Sequence, residues 1–322
     1  MFNGSPLFTG AAGSGESEIR RWIIENDWLE AVVALPDQLF YNTGISTYFW
    51  IVTNRKSPDR QGKVQLVDAR DFFVKMRKSL GEKRKEISTD QIAEITRVYG
   101  EFQEGEKVRI LANEAFGFLR ITVEQPLRLR WEITDETIQV TLEAKAVQKQ
   151  AEQVRDLLRE LLAERLGSTF ENQKEIVKEL GPRIIGAGLP APAQKAIWSA
   201  LAVRDPEAPI VAHRKGNPEP DSDLRDQENV PLPPVRLTFE EDPTERFVTV
   251  AYRTAADDYM RDEVLPYVPE AWVDHDKTKV GYEIPLARHF YKYVAPRPLE
   301  EIDAEIKALE EEIQELLAEV AR

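Results

Sequence analysis

The first quarter of this 322-residue chain is predicted to be α/β, and the rest is predicted to be a mainly α-helical tail that ends in a coiled-coil helix. Two short apolar segments joined by a compact loop predict buried strands of an open, mostly parallel sheet. An aliphatic heptad repeat near the carboxyl end predicts the coiled coil. With 42% hydrophobic residues, the chain is long enough for one large or two ordinary domains.

One helix and three strands are predicted in the first quarter. A glycine-rich loop at residues 10–15 precedes a predicted helix, with Ser14 at its N-cap position. Residues 29–35 and 47–53 are runs of apolar, β-branched and aromatic residues, which are typical of strands buried on both faces. Residues 63–68 alternate between polar and apolar side chains, which favours a third strand nearer the sheet edge.

Helical patterns dominate the middle of the chain. Residues 89–99 predict a helix capped by Ser88 or Thr89. Residues 142–166 predict one long charged helix, whose apolar stripe resembles a coiled-coil seam. Residues 213–234 are polar and rich in proline, and we interpret them as a linker or mobile loop. Smaller helices are expected near 171–180 and 191–202.

The terminal segment carries the most regular pattern in the chain. Pro298 suits the start of a helix, and seven aliphatic residues follow it with three–four spacing on an otherwise acidic sequence. The repeat indicates a coiled coil with a partner helix, and the alternative is an amphipathic helix packed on its own domain. This seam consists of Leu299, Ile302, Ile306, Leu309, Ile313, Leu316 and Val320.

The formal net charge of −14 is unevenly distributed. Residues 299–322 hold nine acidic and two basic side chains, which is half of the net charge. The overall charge excludes an autonomous DNA clamp, because such a protein neutralises phosphates with basic groups. A basic cluster at 75–85 is nevertheless a candidate contact for a DNA backbone, with a solvated loop as the alternative. It consists of Lys75, Arg77, Lys78, Lys83, Arg84 and Lys85.

Composition also excludes several classes of site. The chain has no cysteine, which excludes disulfides, thiolate metal sites and a cysteine nucleophile, and which fits the cytoplasm. His213, His275 and His289 form no spaced ligand pair, so we interpret them as surface or core residues and expect no metal site. The chain shows no secretory signal and no apolar run of roughly 20 residues, so no membrane span is predicted.

The loop between the two predicted buried strands is a candidate binding site. Its sequence, PDQLFYNTGIS, follows the carboxyl end of a strand, where open α/β sheets bind ligands. Phe40 and Tyr41 are its aromatic residues, and aromatic faces beside amide and hydroxyl groups can hold an unstacked base. In the alternative interpretation, Phe40 belongs to the core and Tyr41 covers the sheet edge. The polar turn that follows them consists of Asn42, Thr43 and Gly44.

Three stretches of the chain resemble the modification (M) subunits of type I restriction–modification enzymes. The first, NGSPLFTGAAGSGESEIRRWIIENDWLEAVVALPDQLFYNTGISTYFWIVTNRK, resembles the late part of their catalytic domain. The similarity continues through FGFLRITVEQPLRLRW and returns at DEVLPYVPEAWVDHDKTKVGYEIPLARHFYKYVAPRPLEEID. The ordered set of motifs makes the resemblance specific, and residues 142–234 are the part that it covers least.

The resemblance implies methylation of the exocyclic amino group of adenine in DNA by S-adenosylmethionine, on a Rossmann-like methyltransferase sheet. Subunits of this family act with a specificity subunit, which reads the DNA sequence, and through it with a restriction subunit. The target adenine must leave the duplex, because its amino group is otherwise engaged in base pairing. The expected partners are therefore these two subunits and double-stranded DNA, and no membrane partner is expected.

Only the late catalytic motifs of the family have counterparts in this sequence. The aromatic pair of LFYNTGI matches the motif near the flipped base, and its Asn-Thr-Gly turn matches the supporting turn. Arg20 matches a position without an assigned role. Gly4, Leu7 and Phe8 match a loop after an earlier strand. The cofactor loop and the Asn-Pro-Pro-Phe loop of the family are absent, and both would precede the matched region.

We therefore expect the carboxyl-terminal portion of a modification subunit, with an incomplete methyltransferase sheet and no complete catalytic set. S-adenosylmethionine is expected in the full-length family member, whereas no cofactor and no activity are expected for this chain alone. One alternative is a non-catalytic helical module that binds the specificity subunit. Another is an unrelated α/β protein whose terminal helix pairs with itself.

Six consecutive segments follow from this interpretation. They are the distal part of the catalytic domain (1–75), a basic connector with the end of the catalytic region (76–134), a helical tail (135–210), a polar proline-rich linker (211–235), a tail module (236–297) and the coiled-coil helix (298–322).

Overall fold

A computed structural model describes residues 2–212, 216–293 and 295–320, with side chains described for all of these except 2, 315 and 318–320. Its strands are β1 (Phe2–Asn3), β2 (Leu29–Ala34), β3 (Thr47–Val52), β4 (Lys63–Asp68), β5 (Val74–Leu80), β6 (Lys83–Glu86), β7 (Val108–Ala112), β8 (Gly117–Glu124), β9 (Leu129–Glu132), β10 (Thr169–Phe170), β11 (Ala202–Arg204), β12 (Asp226–Pro231) and β13 (Trp272–Tyr282). Its α-helices are α1 (Ser5–Phe8), α2 (Gly15–Glu25), α3 (Thr89–Glu101), α4 (Asp135–Glu143), α5 (Lys145–Gln148), α6 (Glu152–Ala163), α7 (Gln173–Gly186), α8 (Ala191–Ala200), α9 (Val250–Tyr259), α10 (Leu286–His289) and α11 (Leu299–Val320).

The fold is mixed α/β and divides into two compact units, each built from separate stretches of the chain. Unit 1 consists of residues 1–8, 29–111 and 284–322. Unit 2 consists of residues 9–28 and 112–283. The six consecutive segments predicted from the sequence therefore do not coincide with these units, because residues 9–28 group with later parts of the chain.

Unit 1 is built on a five-stranded sheet in the order β1-β3-β2-β4-β7. Strands β2 and β4 are parallel, whereas β3 runs antiparallel to both β2 and β1. Val33, Val67 and Val108 form a small core from three of these strands, and Ile95 and Val98 of α3 pack against it. Because β2 and β4 are parallel, their carboxyl ends lie at the same edge of the sheet.

The predicted strands are confirmed in position but not in all of their surroundings. Strand β3 is not buried on both faces, since Phe49 and Val52 are about half exposed. Residues 63–68 were expected nearer the sheet edge, and β4 lies one strand in from that edge, between β2 and β7. The alternating pattern comes from Gln65, which is fully buried and forms hydrogen bonds with Arg60 and with the Val98 carbonyl.

Unit 2 contains α2, helices α4–α9 and two three-stranded sheets, β12-β8-β13 and β10-β9-β11. The predicted single helix over 142–166 is wrong, because α4, α5 and α6 replace it. Ala144 leaves the helical conformation with a ψ of 127°. Val147 and Leu158 then reach a shared core around Trp131. The apolar stripe is thus buried in its own unit, so it does not form a coiled-coil seam.

The prediction of a linker or mobile loop at residues 213–234 is wrong for the second half of that segment. Residues 226–231 form β12, which pairs antiparallel with β8. Just before this strand, Asp221 is almost fully buried and receives two hydrogen bonds of 2.9 Å from the Arg204 guanidinium. These contacts fix the chain on both sides of residues 222–225. His213, which the sequence analysis placed in the linker, lies outside the described residues.

The remaining predicted helices are confirmed. Ser88 caps α3 through a reciprocal capping box with Gln91, and α7, α8 and α11 form where the periodic patterns indicated. Most described side chains of the α11 seam are exposed to between 49% and 73%, so packing against the helix's own domain is not seen for them. The side chain of Val320 lies outside the described residues. No helix in the described part of the chain is both long and apolar enough to cross a membrane.

Candidate nucleic-acid interface

The loop of residues 36–46, called the base loop below, begins where β2 ends and leads into β3. Phe40 and Thr43 form a backbone bridge, which makes the tight turn predicted there. The Thr43 hydroxyl accepts a hydrogen bond of 3.4 Å from the backbone N–H of Ile45. This turn leaves Phe40 half-buried and Tyr41 59% exposed. The loop therefore offers one solvent-facing aromatic ring at the carboxyl edge of β2.

The basic cluster forms a two-stranded antiparallel hairpin, β5 with β6, called the basic hairpin below. The alternative of a solvated loop is wrong only in its secondary structure, because Lys75, Arg77, Lys78 and Arg84 are exposed to solvent on this hairpin. Lys75 and Lys85 lie directly opposite each other, although like charges in such a pair are destabilising. The repulsion is offset because the Lys85 ammonium group contacts a carboxylate and an aromatic ring. Its ammonium group forms an ion pair with Asp37 and lies 3.9 Å from the centre of the Phe73 ring.

The structure brings the base loop and the basic hairpin together. The backbone N–H of Glu82 donates a 3.0 Å hydrogen bond to the Tyr41 carbonyl. The N–H groups of Arg84 and Lys85 both donate to the Gln38 carbonyl, at 2.9 and 3.2 Å. Gln38 adopts a left-handed conformation with a φ of 56°, which aims its carbonyl at the hairpin. Two sites that are separate in the sequence are thus one surface.

An ion pair lies at the same edge of the sheet. Asp68, at the end of β4, is in register with Ala34 at the end of β2. The Arg70 guanidinium donates two hydrogen bonds of 2.7 and 2.8 Å to the Asp68 carboxylate. Burial alone would raise the pKa of Asp68, but the hydrogen bonds from the Arg70 side chain and backbone hold it below its usual value. Asp68 is therefore an anion that neutralises Arg70 at this edge.

A buried ionic cluster in unit 2 was missed by the sequence analysis. Glu25, at the end of α2, has a fully buried side chain. It accepts hydrogen bonds from Arg246 at 2.7 and 3.1 Å, from Arg21 at 3.2 Å and from the Tyr282 hydroxyl at 2.8 Å. Burial raises the pKa of Tyr282, and the neighbouring Glu25 adds to this effect. The i,i+4 spacing of Arg21 and Glu25 was the available signal, but such pairs are usually exposed.

Arg20, which had no assigned role in the sequence analysis, connects separate segments of unit 2. Its side chain is almost fully buried. It donates a 2.6 Å hydrogen bond to the carbonyl of Thr9 and a 2.5 Å hydrogen bond to that of Tyr282. Arg20 therefore ties α2 to the loop before it and to the end of β13.

Other candidate groups form no site. The pKa values of His275 and His289 are lowered, first by burial and then by neighbouring arginines. Within the described ranges, no three potential metal ligands lie close enough to hold an ion. In the glycine-rich loop, the space beside Gly10 is taken by the chain's own side chains, because a Cβ there would lie 2.4 Å from the Ser14 hydroxyl oxygen and 2.9 Å from Glu16.

Part of this chain is similar in sequence to known proteins. The sequence model of the N-6 DNA methylase family matches residues 1–115. The MjaIX type I restriction enzyme methylase subunit of Methanocaldococcus jannaschii is 31% identical over 96 residues, which are 30% of this chain and 16% of that protein. The HindI type I methylase subunit of Haemophilus influenzae is 38% identical over 82 residues, which are 26% of this chain and 17% of that protein.

A solved structure of a type I restriction–modification methyltransferase subunit from Streptococcus thermophilus is also similar. It shares 22% sequence identity at a TM-score of 0.31, over 35% of this chain and 22% of that chain. The matched part of this chain spans about a sixth of the two curated relatives. The family model and the two curated relatives confirm the resemblance to type I modification subunits. The family match includes the base loop and the basic hairpin, whereas the resemblance of residues 116–131 and 262–303 stays a prediction.

Proposed function

We propose that this chain is the late part of the catalytic domain, with the following tail, of a type I modification subunit that methylates adenine in DNA. The observation that carries this proposal is the joint surface of the base loop and the basic hairpin. Both lie inside the region that matches the N-6 DNA methylase family. An exposed aromatic ring beside a group of basic side chains suits an extruded base and the phosphates that flank it.

Tyr41 is the residue that stacks on the extruded adenine in this proposal, and half-buried Phe40 anchors the turn through its backbone bridge to Thr43. Stacking on an aromatic ring contributes roughly 1–3 kcal/mol per base. Lys83 carries its ammonium group 5.6 Å from the centre of the Tyr41 ring. This contact places a positive charge next to the ring. Asn42, Thr43 and Gly44 act as the supporting turn.

S-adenosylmethionine is assigned only to the whole modification subunit. The residues of this chain do not fit that cofactor, since no family cofactor motif occurs in the sequence. At Gly10 of the glycine-rich loop, the Ser14 and Glu16 side chains occupy the space beside the backbone. We therefore propose that the chain alone transfers no methyl group. Incorporation of tritiated methyl groups into DNA by the purified chain, above that of a heat-inactivated sample, would contradict this.

Base capture is tested with duplex DNA that carries 2-aminopurine opposite an abasic site. We expect the chain to bind this DNA and to quench the 2-aminopurine fluorescence by stacking. Tyr41→Ala should lose most of the quenching and about 5–150-fold in affinity, which corresponds to roughly 1–3 kcal/mol of stacking. Tyr41→Phe should retain both, because the ring is preserved.

The matched control for this test is Tyr267→Ala. Tyr267 belongs to unit 2 and is 83% exposed, so it is another solvent-facing tyrosine outside the base loop. This variant should bind and quench as the unmodified chain does. The proposal is wrong if the unmodified chain does not quench at low salt, or if Tyr41→Ala and Tyr267→Ala behave alike.

Helix α11 is proposed to dock on the specificity subunit through its aliphatic seam. The narrow exposed stripe needs a partner helix to cover it, and the acidic flanks favour a partner with basic residues at its own flanking positions. Self-pairing in parallel is disfavoured, because like charges would then face each other across the seam. The restriction subunit would contact this assembly through the specificity subunit.

Two pairs of substitutions test this docking. Ile306→Asp with Ile313→Asp should abolish co-elution with a specificity subunit in size-exclusion chromatography, because each packed isoleucine contributes roughly 2–5 kcal/mol. Ala304→Asp with Ala308→Asp adds the same charge away from the seam and should leave co-elution intact. Equal behaviour of the two pairs would exclude the coiled coil.

A second candidate function is a non-catalytic interaction module that binds the specificity subunit. The exposed seam of α11 is the observation that favours it. This candidate predicts normal co-elution and no quenching of 2-aminopurine, so the two experiments above distinguish it. We keep the cytoplasm as the proposed location, with the cysteine-free composition as its support.

A further inference from the structure

We infer that Lys85 and Gly81 are positioning residues, through which docking of the basic hairpin on duplex DNA sets the orientation of the base loop. This inference rests on the proposed function. It differs from the sequence-based assignment, in which Lys85 was one of six equivalent contacts to phosphate.

Lys85 is engaged within the protein on three sides. Its side chain is 17% exposed, its ammonium group pairs with Asp37, and the same group lies over the Phe73 ring. Its backbone N–H donates to the Gln38 carbonyl. An ammonium group held by a carboxylate and an aromatic face would lose both contacts on moving to a phosphate. Lys85 is therefore suited to fastening the stem of the hairpin to the start of the base loop.

Gly81 makes the close contact at the tip of the hairpin. It has a φ of +61°, and a Cβ at this position would lie 2.9 Å from the Tyr41 carbonyl oxygen. The next residue, Glu82, donates its backbone N–H to that same oxygen. A Cβ on Gly44 would in turn lie 3.0 Å from the Glu82 carboxylate. The turn of the hairpin is thus packed directly on the backbone that carries the Tyr41 ring.

Four basic residues remain available for DNA. Lys75, Arg77, Lys78 and Arg84 are exposed and lie on a two-stranded ribbon. A ribbon of this kind fits the major groove of B-DNA, where phosphates line both sides. Because the ribbon and the base loop share backbone hydrogen bonds, a force on the ribbon displaces the Tyr41 carbonyl with it. Contact with phosphate and capture of the base are therefore coupled.

Two glycine variants separate positioning from general strain. Gly81→Ala should lose most of the quenching, and with it the roughly 5–150-fold in affinity that stacking contributes, while the salt slope of binding stays unchanged, because the added Cβ displaces the Tyr41 carbonyl and removes no phosphate contact. Gly62→Ala is the matched control, since Gly62 also has a positive φ of +72° and a Cβ there meets nothing within 4 Å. It should keep both affinity and quenching.

Lysine variants separate positioning from phosphate contact. A residue that contacts one phosphate adds about 1 to the slope of log affinity against log salt. Lys85→Gln should lose quenching without changing that slope. Lys75→Gln should lower the slope by about 1 and keep the quenching per bound chain. Lys85→Arg should restore quenching, because arginine retains the charge for Asp37 and stacks well on an aromatic ring.

The outcomes of this experiment are distinct. Unchanged quenching in both Gly81→Ala and Lys85→Gln, with normal quenching by the unmodified chain, overturns the inference and leaves the proposed function standing. A lower salt slope for Lys85→Gln also overturns it. If Gly81→Ala fails to fold, as judged by circular dichroism, the Lys85 series decides. An unmodified chain that does not quench overturns the proposed function, and the inference falls with it.

Discussion

The Glu25 cluster of unit 2 and the basic hairpin of unit 1 differ in the burial and pairing of their charged side chains. In the Glu25 cluster, one carboxylate is completely buried and two guanidinium groups and a phenol converge on it. In the hairpin, four of the six basic residues are exposed, and Lys75 faces Lys85 across the two strands. The first arrangement satisfies every charge inside the protein, and the second leaves charges for a partner.

The difference shows that burial and pairing, not the number of charges, decide what a charged residue does. A buried carboxylate that loses its partners is costly, so the Glu25 cluster holds separate segments of unit 2 in place. Arg21 also donates to the carbonyls of Glu240 and Glu241, and Arg246 donates to that of Thr238. Exposed basic side chains contribute little to folding, so the four exposed ones of the hairpin, Lys75, Arg77, Lys78 and Arg84, are free to be used in binding.

The largest effect that follows from this comparison is on stability. Glu25→Ala should lower the free energy of unfolding by about 3–5 kcal/mol, because Arg21 and Arg246 lose the one fully buried carboxylate that they share. Urea denaturation followed by tryptophan fluorescence measures this change. Glu18→Ala is the control, because Glu18 also pairs with Arg21 but its side chain is 35% exposed. Its effect should stay below about 1 kcal/mol. Similar losses of unfolding free energy in both variants would show that the buried Glu25 cluster contributes no more to stability than an exposed ion pair.

A smaller energetic effect, visible mainly in DNA binding, is expected at the hairpin. Replacing Lys75, Arg77 and Lys78 together by glutamine should lower the salt slope of DNA binding by about 2.7, at about 0.9 for each lost phosphate contact. The free energy of unfolding should change by no more than about 0.5 kcal/mol, because these side chains are exposed. Fluorescence anisotropy at several salt concentrations measures the slope.

The control for the hairpin removes the same charge elsewhere. Lys145, Lys149 and Lys178 are exposed residues of unit 2, and their replacement by glutamine changes the net charge equally. This triple variant should leave the salt slope nearly unchanged. Equal slopes for the two triple variants would mean that DNA responds only to net charge, and the contrast between the two regions would then fail for binding.

Local patterns predicted most of the elements around the candidate site. Strands β2 and β3, the turn after Tyr41 and the cap at Ser88 all depend on neighbours in sequence, and all occur where the sequence indicated them. The contact between the base loop and the hairpin did not follow from sequence, because it consists of backbone hydrogen bonds between segments some 40 residues apart. Such bonds cannot be predicted from the residue types, because nearly all residues carry the same backbone N–H and C=O groups.

The errors have related physical causes. Gln65 is a polar residue inside the sheet, so it gave β4, which is buried at five of its six residues, the alternating pattern of a half-exposed strand. The break at Ala144 involves a good helix former, and the reason for it is the burial of Val147 in a core formed by distant segments. Only Val230 of the six β12 residues is buried, so the sequence of this strand is polar. That polar sequence did not indicate a strand paired with β8. In each case, contacts remote in sequence override the local preference.

Synthesis on the ribosome gives the Glu25 cluster a further consequence. Glu25 precedes Arg246 by 221 residues. At about 5–20 residues per second, Glu25 emerges on the order of ten seconds or more before its main counter-ion exists. During that interval α2 can form, but its acidic end has no basic partner from the later segment. Residues 29–111 of unit 1 are made in the meantime, whereas unit 2 must wait for a segment far downstream. A chaperone that recognises exposed segments would therefore encounter α2 for longer than any strand of the unit 1 sheet between β2 and β7.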